Sequence, residues 1–349
     1  MAVTAQQIAE LAGVSRGTVG RALHNRGRVN PEVAAKIHKI AAELGYKPNL
    51  IGQALVKSRR EFKLGAILQS VETPTIQIVR AGVHRAAEEL AASGVELIMR
   101  ENRGLDTEMV LEHIEELVSQ GVQGLAIAPN NSPEIRQCID ELYEQGIPVI
   151  TLNSDAPGSR RLAFIGMDNY RAGQTAAGLL RLMLPEGGKV LPLAGHLNNT
   201  AHNNRLNGFM DTINGETGNE IELLAFQPCF DRDDYAHEIT QHALRANPDL
   251  TGIYVASNGQ AGACAAVEEE GRKGKVKVVA FDLNPMNMKL LQSDSLSFVL
   301  DQKAFEQGYR PPFLLFDYLQ NRKGPEKELL YTDIAIKTKF NSDKPVGME

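Results

Sequence analysis

The sequence predicts an all-α helix-turn-helix unit followed by an α/β body of two lobes. Three observations predict it. Charge is uneven: residues 1–60 hold ten Lys/Arg against three Asp/Glu, a net of +7, while the rest carries −13. The hydrophobic pattern changes near Phe62, from short helical stripes to compact apolar runs alternating with amphipathic stretches. The chain has 349 residues of 43% hydrophobic content, enough material for more than one core.

In the basic segment, Thr4 with Gln7 three residues on reads as a capping box opening a first helix. Ile8 and Leu11 give that helix an apolar side, and Gly13 ends it. Ser15 can cap a second helix running to Leu23, with Val19 and Leu23 one turn apart. Two short helices joined by a tight glycine turn form the helix-turn-helix layout. Asn30-Pro31-Glu32 opens a third helix, with Asn as N-cap and Pro at the first helical position. Val33, Ile37, Ile40 and Leu44 are its inner stripe, and Gly45 its stop. The second helix then shows Arg16, Gly17, Gly20 and Arg21 outward. Each helical glycine costs about 1 kcal/mol, which gains nothing for a purely structural helix. Glycine lets a backbone approach DNA closely, and Arg can grip guanine O6 and N7 bidentately. A basic unit on an acidic body points to a polyanion partner for the first part alone.

From Phe62 onward the runs KLGAIL, VELIM, GLAIA, PVITL, LAFIG, KVLPLA, IELLAF, GIYVA, VKVVAF and LSFVL read as strands. Between them lie amphipathic stretches such as 76–92 and 107–120, so βαβ units on parallel sheets are expected. In such sheets ligands bind beyond the carboxyl ends of the strands. Asn153, Ser154 and Asp155 follow one run, Ser257-Asn258 another, Asp282 a third, and Asp301-Gln302 a fourth. Asn, Asp, Gln and Arg match adjacent hydroxyl groups, and Phe230 offers an apolar face for a ring. A small sugar or polyol effector between two lobes is the expectation. Chain crossings are expected near 165–168, 299–303 and 323–328. They would divide the body into an N-lobe of 62–166 plus 302–325 and a C-lobe of 168–298 plus 326–340.

The three cysteines, Cys138, Cys229 and Cys264, form no CxxC pair, so neither a zinc site nor a disulfide framework is expected, and a reducing cytoplasm fits. The sequence shows no apolar run long enough for a membrane span and no secretory n-region. No GxSxG elbow between a strand and a helix, no HExxH, no P-loop and no strand-following GxGxxG is found, the GVSRG of residues 13–17 lying in the helix-turn-helix segment, so no enzyme activity, cofactor or metal is expected.

TAQQIAELAGVSRGTVGRAL, GRVNPEVAAKI and AAELGYKPNLIGQALVKSRR together resemble the DNA-binding headpiece of the LacI/GalR family of bacterial transcription regulators. The resemblance implies a DNA-binding domain over 1–48, a hinge helix and linker over 49–61, and an effector-binding and dimerisation domain over 62–340. It implies that Arg16, Gly17 and Arg21 face the major groove, with Ser15 and Thr18 near the DNA backbone. Asn49 to Lys57 would form a hinge helix on operator DNA, with Leu55 as a minor-groove wedge. The full DNA-facing set is Thr4, Ser15, Arg16, Gly17, Thr18, Arg21, Asn25, Asn49, Gly52, Leu55 and Lys57. Gly20 departs from the family's usual serine, and Gly52 should make the hinge helix depend more on DNA.

The body resembles the periplasmic-binding-protein type I fold through TPTIQIVRAG, RLAFIGMDNYRAGQTAA, RLNGF, QPCFDR, YVASN, VAFD and LDQKAFEQG. The family's ligand positions fall on Thr73, Thr75, Asn153, Ser154, Arg205, Phe230, Asn258, Asp282 and Gln302, with Asp155 as an addition. Asn153-Ser154 replaces an Asp-Arg pair common in ribose-type proteins, and Thr75-Ile76 replaces aromatics, so ribose itself is not implied. The chain thus reads as a sequence-specific repressor of carbohydrate metabolism, a homodimer or higher oligomer on near-palindromic operator DNA. A sugar-binding transport component is the alternative, and a carbohydrate-active enzyme a weaker one. Arg16→Ala should relax sequence preference, whereas Lys57→Ala should weaken all DNA about equally. Binding titrations on operator and scrambled duplexes check this, and an equal loss on both duplexes for Arg16→Ala would refute the base-reading role.

Overall fold

The computed structural model describes residues 5–15, 18, 19, 22, 29–43, 61–196, 199–215 and 220–342. The chain divides into two compact units, Met1–Arg59 and Arg60–Glu349.

In the first unit, α1 (Ala5–Ala12) and α2 (Pro31–Glu43) flank helical residues at Thr18, Val19 and Ala22. Ser15 opens that middle segment as expected: its Oγ accepts from the Thr18 amide at 3.2 Å. Asn30 caps α2, its Oδ1 accepting from the Glu32 amide at 2.9 Å. Ile8, Ala9, Ala12, Val19, Ala22, Ile37 and Ala41 are buried together. Lys36 ties α2 to the end of α1 by donating to the Ala12 carbonyl at 3.1 Å. Val33 and Ile40 pack against that core only in part, and Leu44 lies outside the described residues. Thr4, Arg16, Gly17, Arg21, Asn25, Asn49, Gly52, Leu55 and Lys57 also lie outside them.

The second unit begins with β1 (Phe62–Leu68), α3 (Pro74–Ala91), β2 (Val95–Glu101), α4 (Thr107–Ser119), β3 (Gly124–Ile127), α5 (Pro133–Glu144), β4 (Val149–Leu152) and β5 (Ala163–Met167). A second series follows: α6 (Asn169–Met183), β6 (Gly188–Ala194), α7 (Thr200–Gly215), β7 (Ile221–Leu223), β8 (Gln227–Pro228), α8 (Asp233–Ala246), β9 (Leu250–Val255), α9 (Gln260–Glu269), β10 (Lys277–Phe281), α10 (Pro285–Gln292) and β11 (Phe298–Asp301). The chain ends with α11 (Ala304–Asn321), β12 (Leu329–Thr332) and β13 (Ala335–Lys337). The strands are near-continuous apolar runs because helices cover both faces of each sheet.

One sheet has the order β12-β5-β4-β3-β1-β2 and is parallel throughout. The other has the order β13-β11-β10-β9-β6-β7, with β8 also on β6 and β13 antiparallel. Each order reverses beside the lobe's first strand, at β1/β3 and at β6/β9, the topological switch points where ligands sit.

The chain passes between the sheets after β5, after β11 and after β12. The first two passages fall where the sequence placed them. The third is a correction: residues 329–332 pair with β5 in the N-lobe sheet, Leu329 opposite Phe164, so the passage lies at Asp333-Ile334 rather than 323–328. Leu330 packs against the N-lobe core, an attraction that sequence pattern alone does not assign to one lobe.

Each lobe also contains a helix pair in backbone contact. A Cβ on Gly82 of α3 would lie 2.2 Å from the Phe305 carbonyl of α11, and one on Gly308 1.9 Å from the Val79 carbonyl. In the C-lobe, a Cβ on Gly173 of α6 would lie 2.1 Å from the Arg205 carbonyl of α7, and one on Gly208 2.0 Å from the Tyr170 carbonyl. Gly308→Ala should therefore lower unfolding free energy by about 1–3 kcal/mol through overpacking, read by chemical denaturation. An unchanged midpoint would mean that the two helices separate without cost.

Candidate effector site

The cleft between the lobes lies at the carboxyl ends of both sheets and is open to solvent. Thr73 and Thr75 enter it from the start of α3, and Asn153 and Ser154 from the loop after β4. Arg205 comes from α7, Asn258 from the loop before α9, Asp282 from the end of β10 and Gln302 from the passage after β11. These eight were foreseen, and the fold brings them together.

Asp282 is the centre of the polar network. It is 7% exposed, and its Oδ2 accepts from Thr75 Oγ1 of the opposite lobe at 2.7 Å. Its Oδ1 accepts from Gln302 Nε2 at 2.5 Å. Asn287 Nδ2 donates to the Phe281 and Asp282 carbonyls at 2.9 and 2.8 Å, fixing the turn after the strand. Gln302 is itself held: its carbonyl accepts from Gln307 Nε2 and from Thr332 Oγ1, both at 2.8 Å. Asn153 Nδ2 donates to Gln307 Oε1 at 3.1 Å. Asn153, Asp231, Asp282 and Lys303 all have φ between 55° and 73°, left-handed backbone that is uncommon outside glycine. Strained backbone of this kind gathers where the surrounding structure holds side chains in functional positions.

Arg205 is 3% exposed. Its Nε donates to Asn169 Oδ1 at 2.8 Å and its Nη1 to the Ala256 carbonyl at 3.3 Å. The guanidinium lies 4.1 Å over the Phe281 ring. Burial pulls its pKa down and the Asp282 carboxylate opposes that pull. Asp231 Oδ1 accepts from the Asn258 amide at 3.0 Å. His202 stands beside Asp231, with Nδ1 4.0 Å from Oδ2, beyond hydrogen-bond reach. Burial pushes the His202 pKa down to about 4 against the pull of Asp231, so the ring is neutral at pH 7. Ser154 Oγ and His202 Nδ1 are buried without a hydrogen-bond partner, and both residues line the cleft. Unpaired buried polar atoms are costly, so such atoms in a binding cleft await a ligand.

Two expected residues are not brought in. The Asp155 carboxylate is taken by Arg161, with Nε at 2.6 Å and Nη2 at 2.7 Å, and it also accepts from Thr151 Oγ1 at 2.6 Å. It anchors its own loop and faces a side chamber with Tyr331 and Asp168 rather than the cleft. Phe230 is 43% exposed and packs edge-on against His196 and Tyr235, with centroids 5.7 and 6.1 Å away. Its own φ of 54° and that of 61° at Asp231 turn QPCFDR so that Asp231, not Phe230, lines the cleft.

Five polar lining residues were not foreseen: Gln69, Ser70, Asn199, His202 and Asp231. His202 had a readable signal, since it precedes Arg205 by three positions and so shares its helix face. Asp231 had none, because its direction depends on two consecutive left-handed residues.

This architecture is a hinged two-lobed ligand-binding domain joined to a small helical headpiece. A periplasmic binding protein domain family matches residues 64–323, and the lacI family of bacterial regulatory proteins matches residues 4–49. The ribose operon repressor of Bacillus subtilis is 24% identical over 97% of this chain and 99% of its own. The ribose import binding protein RbsB of the same species is 23% identical, over 70% of this chain and 78% of that protein. The solute-binding protein of an ABC transporter from Burkholderia graminis, solved with D-arabinose, superposes with a TM-score of 0.75 at 26% identity, over 81% of this chain and 96% of that one. The chain belongs to the periplasmic binding protein domain family, with a lacI-family headpiece at its N-terminus. That combination makes it a DNA-binding transcription regulator responsive to a small ligand.

Thr75→Val removes the direct hydroxyl link between the lobes. The unliganded body should lose about 1–2 kcal/mol of stability, and small-angle scattering should show a wider cleft. Unchanged scattering and midpoint would mean that the Asp282–Thr75 bond does not hold the lobes.

Proposed function

We propose that the protein is a sequence-specific repressor of carbohydrate metabolism genes, controlled by a small sugar or polyol bound between the lobes. The observation that carries this reading is the cleft itself: the buried Asp282 carboxylate, the half-buried Asp231 carboxylate, a buried guanidinium and a surround of hydroxyl and amide groups at the hinge. Such groups satisfy the adjacent donors and acceptors of a polyol. Thr73, Thr75, Asn153, Ser154, Arg205, Asn258, Asp282 and Gln302 are its contacts, joined by His202 and Asp231. Phe230, on the left-handed turn just before Asp231, is proposed to swing over the ligand only when the lobes close. A relative named as a ribose operon repressor, alignable over both units, supports the regulatory role. The protein acts as a cytoplasmic homodimer, since a helix-turn-helix pair reads the two halves of a near-palindrome. It works by binding and not by turnover. Among the described residues no helix is long and apolar enough to cross a membrane.

The transport alternative accounts for the body alone and leaves the basic headpiece without a role. The two readings part on DNA retention. Full-length protein should bind a fragment of its own promoter with affinity falling steeply as salt rises, because phosphate contacts release counterions. One hydroxylated compound should change that affinity. Arg205→Ala and Asp282→Ala should abolish the response while leaving DNA binding intact. Loss of DNA binding in both variants would mean that these residues serve folding and not the ligand. Absence of DNA binding at low salt would favour the transport reading.

A further inference from the structure

We propose that the effector is an uncharged polyol rather than its phosphate ester, and that His202 and Asp231 together read one of its hydroxyls; this rests on the polyol reading of the cleft above.

The charge of the site comes first. Among the described lining residues the ionised groups are Arg205, Asp231 and Asp282, so the cleft carries a net −1, and its His202 ring is neutral. A phosphate dianion would add to two carboxylates already sharing one cation. That cation is also committed: Arg205 Nε is spent on Asn169 and Nη1 on the Ala256 carbonyl. The planar fork that grips phosphate bidentately is therefore not presented whole.

Helix N-termini are the other usual source of phosphate donors. Here several of them are occupied by the protein. Asn199 Oδ1 accepts from the Ala201 and His202 amides of α7, at 2.9 and 3.4 Å. Asp233 Oδ1 accepts from the Gly262 amide of α9 at 3.1 Å. Asn284 Oδ1 accepts from the Asn287 amide of α10 at 2.9 Å. Helix α3 carries no side-chain cap, but its first position is Pro74, so it has one donor fewer to offer an anion.

The His202–Asp231 pair supplies the positive part of the inference. Its nitrogen and oxygen are 4.0 Å apart, and Nδ1 has no partner. A hydroxyl both donates and accepts, so one hydroxyl beside the pair can donate to the carboxylate and satisfy the imidazole nitrogen. The space is built for the pair: a Cβ on residue 195 would lie 2.6 Å from both Asp231 Oδ1 and His202 Nδ1, so Gly195 lets them stand together.

The test is isothermal titration of the full-length protein with matched pairs: D-ribose and ribose 5-phosphate, D-glucose and glucose 6-phosphate, D-fructose and fructose 1-phosphate, myo-inositol and its 1-phosphate. At least one parent polyol should bind, and its ester should bind about a hundredfold more weakly, the scale of placing like charges together in a partly desolvated site. His202→Ala and Asp231→Asn should each weaken the bound polyol roughly tenfold, and Asp231→Asn should narrow the discrimination against the ester. Melting of each unliganded variant checks that it folds. An ester binding more tightly than its parent overturns the inference while leaving the polyol reading in place. Full affinity in both variants overturns the role of the pair. Binding of neither member of any pair, by protein that melts cooperatively, overturns the polyol reading and the inference with it.

Discussion

The Asp282 carboxylate holds this body together where the two lobes meet. It sits at the end of a C-lobe strand, yet accepts from a threonine of the N-lobe and from a glutamine on a connecting segment. A carboxylate with little access to water must be hydrogen-bonded, or its desolvation is uncompensated. Here the partners that satisfy it come from different parts of the fold. In the proposed function, polyol hydroxyls entering the cleft would join or replace those partners, so the group that links the lobes here would also be the one through which occupancy acts on them.

Behind that carboxylate stands a rigid frame. Backbone contact between α6 and α7 through Gly173 and Gly208 sets the height of α7 above its sheet, and with it the position of Arg205. Arg205 is then trapped between Asn169 and the Phe281 ring, so its charge is delivered to the cleft without rotamer freedom. In the N-lobe, Gly82 and Gly308 bring α3 and α11 together in the same way, and α3 carries Thr75. Packing far from the cleft therefore decides how the two ends of the interlobe bond meet.

Much of the site was legible because it obeys a topological rule: polar residues just past apolar runs converge at the carboxyl edge of a parallel sheet. Asn153, Asn258, Asp282 and Gln302 satisfy that rule and line the cleft. Asp155 satisfies it too, but Arg161 claims it, an ion pair between positions whose facing depends on how one loop folds. Phe230 and Asp231 are neighbours in sequence, and only the left-handed turn decides which of them faces the cleft. Strand β12 was missed because a short run pairs wherever an open sheet edge receives it.

The sequence by itself determined the division into a basic helical unit and an acidic α/β body, the parallel strands and most of the polar residues at their ends. These follow from periodicity, charge and turn chemistry, which act over a few residues. Tertiary structure alone decided which lobe owns the last N-lobe strand, which carboxylates remain for a ligand and that His202 stands unpaired beside Asp231. Those outcomes depend on contacts between segments far apart in the chain, where several pairings are locally equivalent and only the assembled packing selects one.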